Sequence, residues 1–525
     1  MPLRERQAAR PAWILTLLAS AATLALVLPF FVIYANSFVH PHRFENHLPL
    51  LVPDTVRVTG HDFLKPFQEF APGEFRPRFL TYLIILIDLK LRLAAYALGV
   101  LPPAFTVAWI LELVVGPWLL YRLLVEFTGD RQSSWLAVLV YVASTGFLSG
   151  VTMLFMPGKP LTNVLFIAAL YLTRRAAARA DTRQVIPDIR SAAVPALLAV
   201  IFLGLLLDEA SIFVLVLVPL VFPELFVGGG GGRAAVLGTG RAMLLFATPV
   251  IAFLVLVVFV TPAVTRRFFG YDFDYFSTLL GYGAGAAGAR SIYEGPYGRF
   301  SAGSLLDNTG TLLGASLVPR QLSQFVSRPG SGGVLSGQTH NVWQALILLA
   351  AIGGAIYLAA RSGGAPARWF RRLAVATAAF VVFQSLLSGR HVPYITGYYY
   401  GSAFAVFFAL LVGLVLAMLA HLGGRARLAA VGVAIAVVVV QIDNFHALNQ
   451  SYLFIHNERM TRASHEATIP IAAGTPVTAR ELRAIWKAWR RGNLAAYLEH
   501  RPVSSGAVFL VVELRWLDRL RQRSS

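Results

Sequence analysis

The sequence contains no cysteine, which removes disulfides and thiolate metal sites, so any loop must be held by packing and hydrogen bonds. Charge is scarce as well. Only 14% of the 525 residues are charged against 57% hydrophobic, too little polar surface for a set of water-facing domains of that length. The solvent for most of the chain is therefore read as lipid. Acidic residues are the scarcer sign, 26 against 45 basic, for a formal net charge of +19. In a soluble protein that excess would suggest nucleic acid. Here the arginines gather in short loops between apolar runs, a pattern that reports membrane orientation and leaves no nucleic-acid partner to expect.

Three absences narrow the chemistry. The glycine run 228–232 has no preceding strand and no following Gly-Lys-Ser, so it reads as a linker rather than a phosphate loop. No two of His40, His42, His47 and His61 are four apart, the spacing a helical zinc site would use. No convincing internal repeat marks two transporter halves.

What is present is a series of apolar runs long enough for about 20 residues of helix. They fall near 13–35, 104–126, 135–153, 159–174, 192–208, 210–226, 242–262, 342–360, 372–388, 398–420 and 428–444, giving about eleven spans. The first, preceded by basic residues and lacking a clear cleavage site, reads as a retained signal anchor. Residues 78–100 are different, because Asp88, Lys90 and Arg92 would be costly at mid-bilayer. On a helix Arg78, Thr81, Asp88 and Arg92 share one side, so an interfacial helix lying flat is expected there.

Arginine placement supports that choice. With 78–100 flat, the basic groups at Arg4–Arg10, Arg122 and Arg131, Arg174–Arg190, Arg233 and Arg241, Arg361–Arg372, and Arg425 and Arg427 fall on one side. The short loops of the other side keep only Lys159 and Arg390. The expected fold is thus all-α and polytopic. A membrane domain spans 1–444, with a first outer loop at 36–103 and a large one at 263–341, and a small extracytoplasmic α/β cap spans 445–525. The N-terminus is expected in the cytoplasm and the C-terminus outside. In the cap, ARELRAIWKAWRRGNLAAYLEH reads as an amphipathic helix, and GAVFLVVELRWL as a strand or buried helix.

Four stretches, taken in order, carry a resemblance. They are FRPRFLTYLIILIDLKL, FLSGVTMLFMPGKPLTNVLFIAALYL, GLLLDEASIFVLVLVPL and SGRHVPYITGYYYGSAFAVFF. Their order and spacing resemble the GT-C class of membrane glycosyltransferases, above all bacterial relatives of protein O-mannosyltransferases and tetratricopeptide-bearing O-mannosyltransferases. The resemblance implies transfer of a sugar from a polyprenyl-phosphate donor to a glycan, lipid or protein acceptor outside a bacterial inner membrane. Two departures stand out. His61-Asp62 takes the place of the paired acids usual in the first outer loop, and Asp208 replaces the lysine before the turn glutamate, here Glu209.

Such a transfer needs a carboxylate to take the acceptor's proton and cations to hold the leaving phosphate. Asp62 is the candidate base, its bland alternative being a solvated loop aspartate. Arg76, Lys159, Arg390 and His391 are candidates for the lipid phosphate, each weighed against a side chain snorkelling to headgroups. Tyr394, with Tyr398, Tyr399 and Tyr400, would line the sugar or lipid groove or belong to an interfacial aromatic belt. Asp208 and Glu209 would contact the acceptor or a metal, or else form a salt bridge with Arg76 or Arg78 that steadies the first loop. Glu112 is read as a structural partner between helices. No metal site is secured. A divalent cation, magnesium or manganese, between Asp62 and Glu209 is the one arrangement the oxygen ligands would suit. Rival functions are a surface-polysaccharide polymerase or ligase using Arg290, Arg299 and Arg320, a lipid transporter, and a scaffold without activity.

Overall fold

The computed structural model describes residues 78–98, 107–144, 146–148, 158–179, 193–226, 233–273, 342–387, 402–460, 469–472 and 478–504, with isolated positions from 507 to 518. The expected span 13–35, the loop 36–77 and most of 263–341 lie outside them. The described chain is helical almost throughout. Its first helix is α1 (Phe79–Ala97). A second runs unbroken through α2 (Val107–Ile110), a π-helical segment at Leu111–Val115 and α3 (Gly116–Thr128). There follow α4 (Arg131–Ala143), α5 (Gly158–Arg179), α6 (Ala193–Leu207) and α7 (Val214–Val221). After them come α8 (Arg233–Val255), α9 (Thr261–Val264), α10 (Val342–Arg361), α11 (Gly364–Leu387), α12 (Phe404–Ala420) and α13 (Gly424–Met460). The C-terminal residues add α14 (Ala479–Arg490), α15 (Leu494–His500) and two short parallel strands, β1 (Ile471–Ala472) and β2 (Val503–Ser504).

Each apolar run that falls within these residues carries a helix. Two of the helices, Thr239–Phe269 and Gly424–Ile442, are long and apolar enough to cross a membrane, with mean hydropathies of 2.9 and 1.9. Ala193–Leu207, Ala210–Val221 and Phe404–Ala420 are apolar but shorter. The two long helices keep little of their surface inside the protein. Leu244, Phe259, Leu428 and Val439 stand exposed along them, apolar surface of the kind that water-soluble proteins cover.

The core is aromatic. Phe166 of α5, Phe213, Phe380 of α11 and Phe407 of α12 are all buried and meet as a quartet, with Phe380 stacked on Phe407 at 4.6 Å and Phe213 edge-on to Phe380 at 5.1 Å. Ring pairs in such offset and edge-on geometries each add about 1 kcal/mol beyond burial. Beside them α3, α4 and α12 approach closely at Gly413, where a methyl group would lie 2.8 Å from both Ala137 Cβ and Leu124 Cδ2.

Chain reversal between α3 and α4 follows from two residues. Gly129 takes a left-handed conformation (φ 69°) that closes α3, and Asp130 caps α4 by accepting from the N–H groups of Gln132 and Ser133. At this end of the bundle Glu126 meets Arg174 (3.7 Å) and Arg175 (3.4 Å), Asp130 meets Arg427 (4.0 Å), and Arg372 reaches Glu224 (2.9 Å) and the Val221 carbonyl (3.0 Å). Trp369 packs among them, stacked on Phe127 at 4.4 Å, with Arg174 and Arg372 over its ring. The helix ends carrying Arg174, Arg175, Arg372 and Arg427 therefore converge.

Helix α1 turns its first polar residues toward the protein. Thr81, Ile84, Ile85 and Lys90 are buried, while Ile87, Leu91 and Leu98 are exposed and fall within an arc of about 40° at 100° per residue. The described polar side chains of its first turn face the protein, and the outer stripe is apolar. The reason is the partner that waits for them at the end of α6, described below. In the C-terminal residues, the described part of GAVFLVVELRWL is helical rather than extended, with Ala507, Leu510, Val511 and Leu514 buried.

Two outcomes are expected of this core. Gly413→Leu forces a side chain into Ala137 and Leu124, lowering the unfolding free energy in detergent by about 1–3 kcal/mol; an unchanged melting temperature would refute the close contact. Burial pushes the Asp130 carboxyl up, but hydrogen bonds from the Ser133 hydroxyl and the Ser133 and Gln132 N–H groups, with the Arg427 charge, outweigh it and hold the carboxyl below its ordinary value. Because the folded value is depressed, the stabilisation is complete above about pH 4 and is lost as pH falls through the folded value. Asp130→Ala should therefore cost about 1 kcal/mol at neutral pH and less near pH 3. Equal losses at both pH values would contradict this.

Candidate functional site

The far end of α5 from Arg174 begins at Gly158, 16 residues and about 24 Å away along the helix. There four elements meet. The first turn of α1 docks on the last turn of α6, where the Thr81 hydroxyl donates to the Leu207 carbonyl at 2.6 Å. That carbonyl is one of the acceptors a helix leaves open at its C-terminus, so a side chain supplies what the backbone cannot.

The next residue, Asp208, has extended backbone (φ −157°) and starts a 3-10 turn, Glu209–Phe213, by accepting from the Ala210 N–H at 2.9 Å. Its other oxygen lies 3.3 Å from a terminal nitrogen of Arg78. The Asp208 side chain is only 1% exposed and that of Arg78 20%. Gly158 makes the approach feasible. A Cβ there would lie 3.1 Å from Thr81 Oγ1, 3.2 Å from the Leu207 carbonyl oxygen and 3.8 Å from Asp208 Oδ2.

Of the residues singled out from the sequence, three fall at this junction. Asp208 is at its centre. Glu209 follows it in the 3-10 turn, and Lys159 follows Gly158 in the first turn of α5, both by backbone position, their side chains lying outside the described residues. Of the two roles weighed for Asp208, the contact seen is the pair with Arg78. Asp62, Arg76, Arg390, His391 and Tyr394 lie outside the described residues. Just after the stretch holding Arg390, His391 and Tyr394, the Ser402 carbonyl accepts from the Asn163 amide of α5 at 2.9 Å, one and a half turns from Gly158. The entry to α12 is thereby tied to the same end of α5.

Sequence reasoning missed Gly158 and the hydrogen-bonding role of Thr81. The Pro-Gly-Lys-Pro turn at 157–160 marked the position, but attention went to its lysine. Glu112 is buried, within the π-helical segment Leu111–Val115. One turn on, Gly116 leaves room for Val164, 3.3 Å from where its Cβ would stand. Among the described residues no group of three His, Asp or Glu side chains is placed to hold a metal ion.

Chemically, the junction gathers two helix N-termini, Arg78 and the backbone of Lys159 around one buried carboxylate. Helix N-termini carry partial positive charge, so the local field favours an anion. Compared with known proteins, the chain matches no family model, no curated protein and no solved structure.

The Arg78–Asp208 pair predicts an asymmetric mutational response. Arg78→Ala leaves a buried carboxylate without its guanidinium and should cost about 3 kcal/mol, whereas the Arg78→Ala/Asp208→Ala double variant recovers part of that loss. Strictly additive losses in a double-mutant cycle would show that the two groups are not coupled.

Proposed function

We propose that the protein is a GT-C-type membrane glycosyltransferase that moves a sugar from a polyprenyl-phosphate donor to an acceptor hydroxyl at the membrane surface. The observation that carries the reading is the Arg78–Asp208 pair, which holds the chain where the loop 36–77 enters α1, beside Lys159 and Glu209. An anchored loop entry is what a reaction site on that loop requires, since a displacement of about 1 Å in a catalytic group can cost two orders of magnitude in rate.

In this reading Asp62 accepts the proton of the acceptor hydroxyl, whose oxygen attacks the anomeric carbon of the sugar. The bond from that carbon to the phosphate oxygen breaks, and the negative charge of the departing polyprenyl phosphate is met by Arg76, Lys159, Arg390 and His391, with Tyr394 beside the sugar or lipid. Asp208 is a positioning residue rather than a base, because its oxygens are engaged by the Ala210 N–H and Arg78 and are shielded from solvent. Glu209 is left as the second carboxylate for the acceptor, or, with Asp62, for a divalent cation such as magnesium or manganese. The direction of the chain supports the placement of these groups together. Helix α13 starts at the Asp130 end and runs toward the Gly158 end, as does Thr239–Phe269 from the hydrogen bond of Thr239 to the Phe226 carbonyl. The segments that follow these helices, 461–525 and 270–341, would then share the compartment of the loop 36–77. For a bacterial plasma membrane this is the extracytoplasmic side.

Purified protein incubated with radiolabelled polyprenyl-phosphate sugars should transfer or hydrolyse the label. Asp62→Asn should reduce turnover by at least about 100-fold and Arg390→Ala by about 10-fold or more. Wild-type turnover in both variants would overturn the assignment. In the cysteine-free chain, single cysteines at Gln68 and Gly474 should both react with an impermeant thiol reagent in intact cells. Protection of either would break the topology.

A further inference from the structure

Helix α14 presents a second charged feature, at the opposite end of the chain from Arg78. Its N-terminus is set by Thr478, whose hydroxyl accepts from the Glu481 N–H at 3.1 Å. One face is spent on packing. Ile485, Ala488 and Trp489 are buried, Leu482 and Trp486 are half-buried, and the rings of Trp486 and Trp489 stack at 5.1 Å.

Two acids near this helix are turned inward. Glu481 accepts from the Ser504 N–H and hydroxyl, each at 2.6 Å, and Asp518 accepts from the Trp489 indole at 2.9 Å. The other face carries Arg480, Arg483, Lys487, Arg490 and Arg491, all exposed. At 100° per residue these five fall within an arc of about 100° along roughly 16 Å of helix. Among the described residues no carboxylate lies within ion-pair distance of Arg480, Arg483, Lys487 or Arg491.

We propose that this stripe docks on the anionic phospholipid headgroups of the leaflet to which the C-terminal residues are tethered. Two features select that partner. The stripe is rich in arginine, whose planar fork matches phosphate oxygens through paired hydrogen bonds. The unit is also tethered to a helix apolar enough to span a membrane. The apolar segment Gly424–Ile442 of α13 continues as helix for about 27 Å to Met460, and the chain from Met460 to Ile469 adds at most about 30 Å, so the unit stays within about 60 Å of that segment. Juxtamembrane basic clusters of this size are attracted to anionic lipid over about a Debye length. The inference stands apart from the glycosyl-transfer reading and survives its failure.

The test uses the full chain, with Ala484→Cys at the edge of the stripe as its single thiol, labelled with a bimane and placed in lipid nanodiscs containing headgroup-nitroxide lipid. Quenching should be at least about 3-fold greater with phosphatidylglycerol present than in phosphatidylcholine alone, and should fall between about 0.05 M and 0.5 M salt as the Debye length shortens. It should be lost in Arg480→Gln/Arg483→Gln/Lys487→Gln, whose exposed positions leave the packed face intact. Equal quenching in neutral and anionic discs, or in the triple variant, overturns the proposal. A fluorescence response to a soluble acidic polysaccharide with none to lipid charge also overturns it and assigns the stripe to an acidic polymer instead.

Discussion

A carboxylate buried where two helices end and begin is the constraint around which the described end of the bundle is arranged. Asp208 follows directly on the C-terminus of α6, whose open carbonyls carry partial negative charge, so that helix end taken by itself works against its charge. Moving such a group out of water costs several kcal/mol unless it is paired and hydrogen-bonded. Three features answer that cost together. Arg78 brings a full positive charge, Thr81 takes up the Leu207 carbonyl, and the N-termini of α1 and α5 point their partial positive charge at the same spot. The glycine at 158 eases their convergence, because a Cβ there would crowd the Thr81 hydroxyl at 3.1 Å and the Leu207 carbonyl at 3.2 Å.

The rest of the body is organised by apolar contact in both directions. Inward, the Phe166, Phe213, Phe380 and Phe407 rings form a core with no polar atom among their side chains. Outward, Leu244, Phe259, Leu428 and Val439 are exposed along helices with the composition of membrane spans. The ion pairs gather at two ends. At one lie Glu126, Asp130, Glu224 and the arginines that meet them, and at the other lie Arg78 and Asp208. The rise of α5 between those ends is about 24 Å. Between them the buried surface is mainly apolar, with Glu112, Gln384 and Gln441 among its polar exceptions.

Much of this was legible because apolar runs and their flanking arginines are local signals. Most helices within the described residues follow the runs to within a few residues, but Gly424–Met460, Arg233–Val255 and Gly364–Leu387 extend well past the apolar stretches that marked them, and Arg131–Ala143 stops ten residues short of the end of its run. The extension is understandable, since hydropathy marks where lipid contact ends and not where helical hydrogen bonding ends. The orientation of α1 was harder to read. A salt bridge of Asp208 or Glu209 with Arg76 or Arg78 was one of the two readings the sequence allowed, but nothing in the stretch itself selects it, because the partner lies 130 residues on. Gly158 was missed for the same reason. A close approach is a property of two surfaces, and the sequence displays one at a time.

The commitment of Asp208 changes how the other acids must be weighed. A general base has to present an oxygen to an incoming hydroxyl, and a carboxylate that is 1% exposed and already engaged on both oxygens can do so only by giving up the contacts that hold the junction together. On the proposed glycosyl transfer, catalysis and anchoring are therefore divided between side chains. The charge of Asp208 faces inward to grip the start of α1, and on the same proposal the cationic work at the lipid phosphate falls to residues such as Lys159 whose chain positions adjoin it. A protein that works in this way would tolerate change at its reacting carboxylate without unfolding, and would lose its loop geometry, and with it turnover, when the structural carboxylate is disturbed.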